Sequence, residues 1–339
     1  MRIFITSRLH LLLLLGCVAF SVYSCNSGNG IKIGMILPNL VEDRFPKDRD
    51  YFCAKVKELG GEVIVVDGQY NDQLQITQAE DLISQGVKVL VVICINKTTA
   101  AAIIRYAHAK NVKVIAYERI ISNCDLDYFV SFDNVKVGEL MAGYMVQRKP
   151  EGKYVLLGGD KGDQNAIWVK QGQLNVLQPY VKSGKIKIVY NSFLESWARE
   201  EAEHELKTYL NLANDGIPDV ILSSADGISF GVISAFKEFN LMGKILLTGQ
   251  DAAVDMCRYI VRYGNSMTVY KPIKQEAEQA AILAMKCAKR EAVSVTQTIN
   301  NGYVEVPAIL IQPISVDKEN MKNTVIADHF VTEASIYGD

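Results

Sequence analysis

The chain has 339 residues, 49% hydrophobic and 22% charged, with 36 Lys and Arg against 38 Asp and Glu and a formal net charge of -2. That length can bury two domain cores, and the near balance of charge, without a basic block, excludes nucleic acid as the main partner. Ordinary contents of Gly (24), Pro (8) and Cys (7) exclude collagen-like, disordered and disulfide-scaffold classes.

The N-terminus reads as an export signal. Arg2, Arg8 and His10 precede the apolar run Leu11 to Phe20, which is too short to span a bilayer comfortably. Cys25, followed by the polar stretch Asn26-Ser27-Gly28-Asn29-Gly30, resembles a bacterial lipoprotein processing site. Leu14-Leu15-Gly16-Cys17 also fits, but cleavage there would leave an apolar stub, so residues 1–25 are expected to be signal and lipidated Cys25, with a tether over 26–30. Cys53, Cys94, Cys124, Cys257 and Cys287 form an odd set without C-x-x-C spacing, which suggests buried thiols rather than a metal or redox site.

From Ile31 short β-branched runs alternate with amphipathic segments. Ile31 to Leu37, Glu62 to Val66, Val87 to Ile93 and Val112 to Tyr117 read as strands; Pro46 to Leu59, Asp72 to Gln85 and Lys97 to Lys110 read as helices. Gly60-Gly61 and Gly86 suit helix stops, and Asn96 or Thr98 suits a cap. The strands are continuous apolar runs, as parallel strands covered on both faces must be. A second series begins near Val135, with strands at Tyr154, Ile186, Asp219 and Lys244 and helices between them, so the expected class is α/β with two doubly wound, Rossmann-like domains. Beyond Asp251 come helix Val254 to Arg262, strand Met267 to Tyr270, helix Ile273 to Arg290 and strand Val304 to Ile311; periodicity leaves open which half they complete.

Ligands bind such sheets beyond the carboxyl ends of the strands, and nearly every strand-to-helix junction here is polar or aromatic. Asp43, Arg44, Phe45 and Lys47 follow the first strand and Glu118 and Arg119 the fourth. Asp133 and Asn134 come next, then Asp163, Gln164 and Asn165, Trp197 and Glu200, Asp226, Gln250 and Asp251, and Lys271. Such a mixture suits a neutral polyol, because each hydroxyl can donate to a carboxylate and accept from Arg, Lys or Asn while an aromatic face covers the C–H side.

Particular stretches carry a resemblance. Asp43-Arg44-Phe45-Pro46-Lys47-Asp48-Arg49-Asp50, Ala116-Tyr117-Glu118-Arg119, Ser131-Phe132-Asp133-Asn134, Gly249-Gln250-Asp251-Ala252 and Met267-Thr268-Val269-Tyr270-Lys271-Pro272-Ile273 resemble the D-xylose-binding branch of the periplasmic sugar-binding proteins of ABC importers. The resemblance implies a nonenzymatic, cofactor-free, metal-free type I periplasmic binding fold whose two lobes, joined by a three-crossover hinge, close on one sugar. It implies crossovers near Phe132-Asp133, Gln250-Asp251 and Asn300-Gly302, hence one lobe of residues 31–132 plus 252–298 and another of 133–251 plus 299–339. It implies hydrogen bonds to sugar from Arg44, Lys47, Glu118, Arg119, Asp133, Asn134, Asn165, Lys170, Asp226, Gln250 and Lys271, with Phe45 and Trp197 stacking on it. Glu118 stands for the family's Asp, Phe45 for Trp, Lys170 for Arg and Ala225 for Asn, changes that bear on which monosaccharide is preferred. The expected partners are the sugar and an ABC permease, or a membrane sensor kinase, with the protein a monomer held outside the cytoplasm by lipid.

One rival pattern is Gly227-Ile228-Ser229-Phe230-Gly231, a G-x-S-x-G after a strand and opening a helix, as in a hydrolase nucleophile elbow. Only His329 follows it as a candidate base, and a close-packed helix start accounts for the same small residues.

Overall fold

The computed structural model describes residues 30–41, 44–212 and 216–338, so the expected signal, Cys25, and Asp43 lie outside the described residues. Strands β1 (Ile31–Leu37), β2 (Gly61–Asp67), β3 (Val89–Val92), β4 (Lys113–Tyr117) and β5 (Tyr128–Phe132) alternate with helices α1 (Arg44–Glu58), α2 (Asp72–Ser84) and α3 (Ala101–Ala109). Then follow α4 (Asn134–Arg148), β6 (Gly152–Asp160), α5 (Gln164–Lys182), β7 (Ile186–Leu194), α6 (Arg199–Leu212), β8 (Val220–Ser223), α7 (Asp226–Glu238) and β9 (Leu246–Gln250). The chain ends with α8 (Val254–Tyr263), β10 (Met267–Tyr270), α9 (Ile273–Lys289), β11 (Gln297–Asn300), β12 (Glu305–Ile311), β13 (Ile314–Val316) and α10 (Glu333–Tyr337).

Two sheets result, one ordered β11-β12-β5-β4-β3-β1-β2 and the other β13-β10-β9-β8-β6-β7. Their inner strands run parallel, and successive side chains enter opposite cores, which is why no polar alternation marks them. In β3, Val89 and Val91 join one cluster with Ile33, Met35 and Leu37, while Leu90 and Val92 join another with Ile36. In β6, Tyr154 and Leu156 face one side and Val155 and Leu157 the other. Helices α4 and α5 cross at two glycines: a Cβ on Gly138 would stand 1.9 Å from Val169 O, and one on Gly172 2.0 Å from Val135 O.

The sheets correct the expected crossovers. After Asp251, α8 returns the chain to β10, which pairs parallel with β9, so Met267 to Tyr270 belong to the second sheet, not the first. Residues 300–302 turn between β11 and β12, an antiparallel pair within the first sheet, where Asn301 Nδ2 donates to Ile121 O and Cys124 O. The chain therefore passes between sheets after β5, between β10 and α9, and between β12 and β13. The first and third passages are bonded together, Asp133 N donating to Ile311 O at 3.0 Å. We call each sheet with its packed helices a lobe.

Candidate functional site

Arg44 begins α1 just beyond β1, and its guanidinium is shared by three carboxylates. Nε lies 3.0 Å from Asp48 Oδ2, Nη1 2.9 Å from Glu118 Oε1 and Nη2 2.6 Å from Glu276 Oε2. Asp48 is one helical turn along α1, Glu118 follows β4, and Glu276 lies in the first turn of α9. Tyr117 Oη donates to Asp48 Oδ1 at 2.5 Å, and Asp48, Glu276 and Tyr117 are fully buried. Lys271, in the second passage between sheets, reaches Glu118 Oε1 at 3.2 Å and Asp251 Oδ1 at 3.4 Å. Phe132 supplies the floor, its ring centroid 5.8 Å from the Arg44 guanidinium and 5.5 Å from Lys271 Nζ.

Backbone strain places two of these groups. Glu118 has φ 59, a left-handed conformation that costs a non-glycine residue about 1–3 kcal/mol, and bonds hold it there. Its N–H donates to Val130 O, and its carbonyl accepts from Ser131 Oγ and from Asn165 Nδ2 across the cleft. Asp251 (φ 97) and Ala252 (φ 52) are likewise left-handed at the end of β9.

The cluster's charges are set by competition between burial and neighbours. Burial pushes the Glu118 carboxyl up, but Arg44 and Lys271 outweigh it and hold it down at about 2. Burial drives Glu276 well above the carboxylate range against the pull of Arg44, and raises Asp48 as well. For Lys271, burial works against the charge, and Glu118 with Asp251 more than offsets it. Thus Arg44, Lys271 and Glu118 stay ionised together.

The second lobe brings amides and an aromatic ring. Asn165 Nδ2 also lies 3.4 Å from Glu118 Oε1, and Asn134 Nδ2 donates to Asn165 Oδ1 at 3.0 Å. Asn134 Oδ1 and Gln250 Oε1 are buried acceptors without a hydrogen-bond partner. Arg119 Nε lies 3.4 Å from Asp163 Oδ2, joining the lobes beside a cavity of about 310 Å³ bounded by Asn96, Lys97, Asp160 and Gln164. Trp197 lies against Gly159 at the end of β6, where an added Cβ would stand 2.2 Å from the indole. Trp168 of α5 packs on Phe129 of β5, ring centroids 6.2 Å apart, an aromatic link between lobes.

Other expected ligand residues also engage the protein itself. Asp133 Oδ1 caps α4 by accepting from Lys136 N, and Asp226 braces its lobe by accepting from Ala253 N at 2.7 Å and Thr268 Oγ1 at 2.9 Å. Gly249 is a glycine for that reason, since its Cβ would lie 2.0 Å from Asp226 Oδ1. Phe45 is buried in the first lobe's apolar core, and exposed Lys47 lies over the Phe330 ring. Lys170 Nζ donates to Asn191 Oδ1 at 2.6 Å and Ser192 O at 2.7 Å, both on β7. Ala225, at the start of α7, is buried in the second lobe's core.

Sequence reasoning missed Asp48, Phe132, Tyr117 and Glu276 as members of this cluster. Glu276 carried a signal, being an acid set among the apolar positions Ile273, Ala277 and Ala280. Ser229 is fully buried, its Oγ bonded to Ser223 Oγ, Ala225 O and Thr248 O, and Gly231 permits close passage of Arg199 O, 2.3 Å from a Cβ built there. That packing accounts for the G-x-S-x-G pattern.

A family model described as a periplasmic binding protein domain matches residues 33–292. The D-xylose-binding periplasmic protein of Haemophilus influenzae is 41% identical over 320 residues, covering 94% of this chain and 96% of that protein. The D-xylose-binding periplasmic protein of Escherichia coli K12 is 39% identical over 306 residues, covering 90% and 92%. Among solved structures, a carbohydrate transporter solute binding protein from Chloroflexus aurantiacus in complex with D-glucose superposes with a TM-score of 0.82 at 26% identity, covering 90% of this chain and 98% of that one.

Proposed function

The chain belongs to the periplasmic binding protein family, and we propose that its lobes close on one monosaccharide, D-xylose, and present it to the permease of an ABC importer. The observation that carries the reading is the meeting of Arg44, Glu118, Asn165 and Lys271, drawn from both lobes and from a passage between them, within direct hydrogen-bonding reach. Arg44 and Lys271 offer donors to sugar oxygens, whereas Glu118, Asn134 Oδ1 and Gln250 Oε1 accept from hydroxyls. A hydrogen bond to a charged group contributes roughly 1.5–3 kcal/mol net, so a few suffice for the ~8 kcal/mol of micromolar binding. Closing on the sugar exchanges some of these side-chain bonds for bonds to hydroxyls, and the sugar shifts the open–closed balance only by its tighter contacts in the closed form.

The test is a calorimetric titration with D-xylose, then arabinose, ribose, glucose and galactose. Micromolar or tighter xylose binding is expected. Heat with another sugar alone would move the specificity to Glu118, Lys170 and Ala225, and silence with all five would sink the carbohydrate reading. The working compartment is outside the cytoplasm, with acyl chains on Cys25 as the anchor. Cys25→Ser should release the protein from membranes, and persistent membrane association would refute that anchor. Among the described residues no helix is long and apolar enough to cross a membrane.

A further inference from the structure

Two buried acceptor oxygens in the charged cluster lack partners, Glu118 Oε2 and Glu276 Oε1, and they belong to carboxyl groups held on one guanidinium, Glu118 2.9 Å from Arg44 Nη1 and Glu276 2.6 Å from Arg44 Nη2. Two ionised carboxylates would leave both oxygens without a donor, and a single proton on one of the two acids supplies it. Charge points the same way. With every acid ionised, Asp48, Glu118 and Glu276 outnumber Arg44 and Lys271, leaving a buried net negative charge that is costly to hold. One proton neutralises the set.

We propose that Glu276 is a neutral carboxylic acid that donates its proton to Glu118, and so acts as a positioning residue that aims Glu118 and Arg44 at the sugar. The assignment of the proton to Glu276 follows from the partners of each acid. Glu118 receives Arg44 and Lys271, and Asp48 receives Arg44 and the Tyr117 hydroxyl, whereas Glu276 receives Arg44 alone, through Oε2. The groups facing it are Arg44 and Asp48 from α1, Tyr117 and Glu118 from the end of β4, and Lys271 just before α9. Burial favours its neutral form over the attraction of Arg44. In this arrangement Glu276 accepts from Arg44 with one oxygen and donates to Glu118 with the other. Both neighbours are thereby fixed from behind, leaving their remaining capacity for hydroxyls.

The inference rests on the sugar-binding reading for its consequence, but the proton itself can be observed without any sugar. Infrared spectra of protein carrying ¹³C-carboxyl glutamate at neutral pH should contain an isotope-shifted protonated-acid carbonyl band that Glu276→Gln removes. Absence of such a band in the wild type overturns the proposal, whatever the sugar titrations give. For binding, Glu276→Gln keeps one donor and one acceptor in the same shape, so affinity for the sugar that the wild type binds should stay within about threefold, while Glu276→Ala loses at least tenfold. Equal losses in Gln and Ala would mean that Glu276 serves as an anion for Arg44, and would also overturn it. If Gln fails to fold, the wild-type band still decides.

Discussion

The two walls of the cleft carry different chemistry. The first lobe presents acidic and basic groups locked to one another, Arg44 shared by Asp48, Glu118 and Glu276, over the ring of Phe132. The second presents Asn134, Asn165 and Gln250, with Trp197 beyond β6, and its own carboxylate Asp226 is turned to bracing loops. A charged wall is strong but must be balanced charge for charge, because any member left alone is buried without a partner. An amide wall is weaker per bond and carries both a donor and an acceptor on each side chain, which suits hydroxyls of either role.

The comparison breaks most sharply at Arg44. Arg44→Ala takes the shared cation from three buried acids and should cost about 3–5 kcal/mol of stability, together with at least a hundredfold in sugar affinity. A urea midpoint and affinity near those of the wild type would mean that the charged wall is not a unit. On the other wall, Asp226→Ala removes the acceptor for Ala253 N and Thr268 Oγ1, a loss of about 1–3 kcal/mol. It should weaken sugar binding roughly tenfold by loosening the loop after β9, with Asp226→Asn milder because burial and Asp251 already favour the neutral acid. If Asn proves as damaging as Ala, the ionised form is the one that matters.

A pH dependence comes from the second lobe. Burial lowers the Lys170 ammonium from its ordinary 10.5 to about 7. Between those values the unfolded chain holds the extra proton, so stability rises as pH rises through this window, by up to about 1.4 kcal/mol per pH unit. Lys170→Met should abolish that rise in urea midpoint between pH 7 and 10. An unchanged slope would place the titrating group elsewhere. Glu118 behaves in the opposite range: its stabilisation is present above the ordinary carboxylate value and is lost as pH falls toward 2.

The doubly wound class was legible because β1, β3 and β4 are unbroken apolar runs separated by amphipathic helices. Arg44, Glu118, Asn165 and Lys271 were legible as polar groups at junctions, where loops bring them together. Sheet membership late in the chain was not, since Met267 to Tyr270 and Glu305 to Ile311 have the same apolar character and only pairing assigns them. Expected boundaries near residues 251 and 300 failed because polar turns look alike whether they pass between sheets or return within one. Asp133 and Asp226 look like ligand groups from sequence, but an acid at a helix start is also a cap or brace. Glu276 was hidden in a stripe that otherwise reads as packing.

The threefold passage between sheets also governs how the molecule can be assembled. β5 has β12 as a parallel neighbour, with Phe129 opposite Ala308, so the first sheet stays unfinished until nearly the whole chain is present. Neither half can fold to completion while the other is being synthesised, and long-range pairing of this kind is slow. The topology therefore favours a late, concerted assembly step, which leaves the growing polypeptide threadable through a translocation channel.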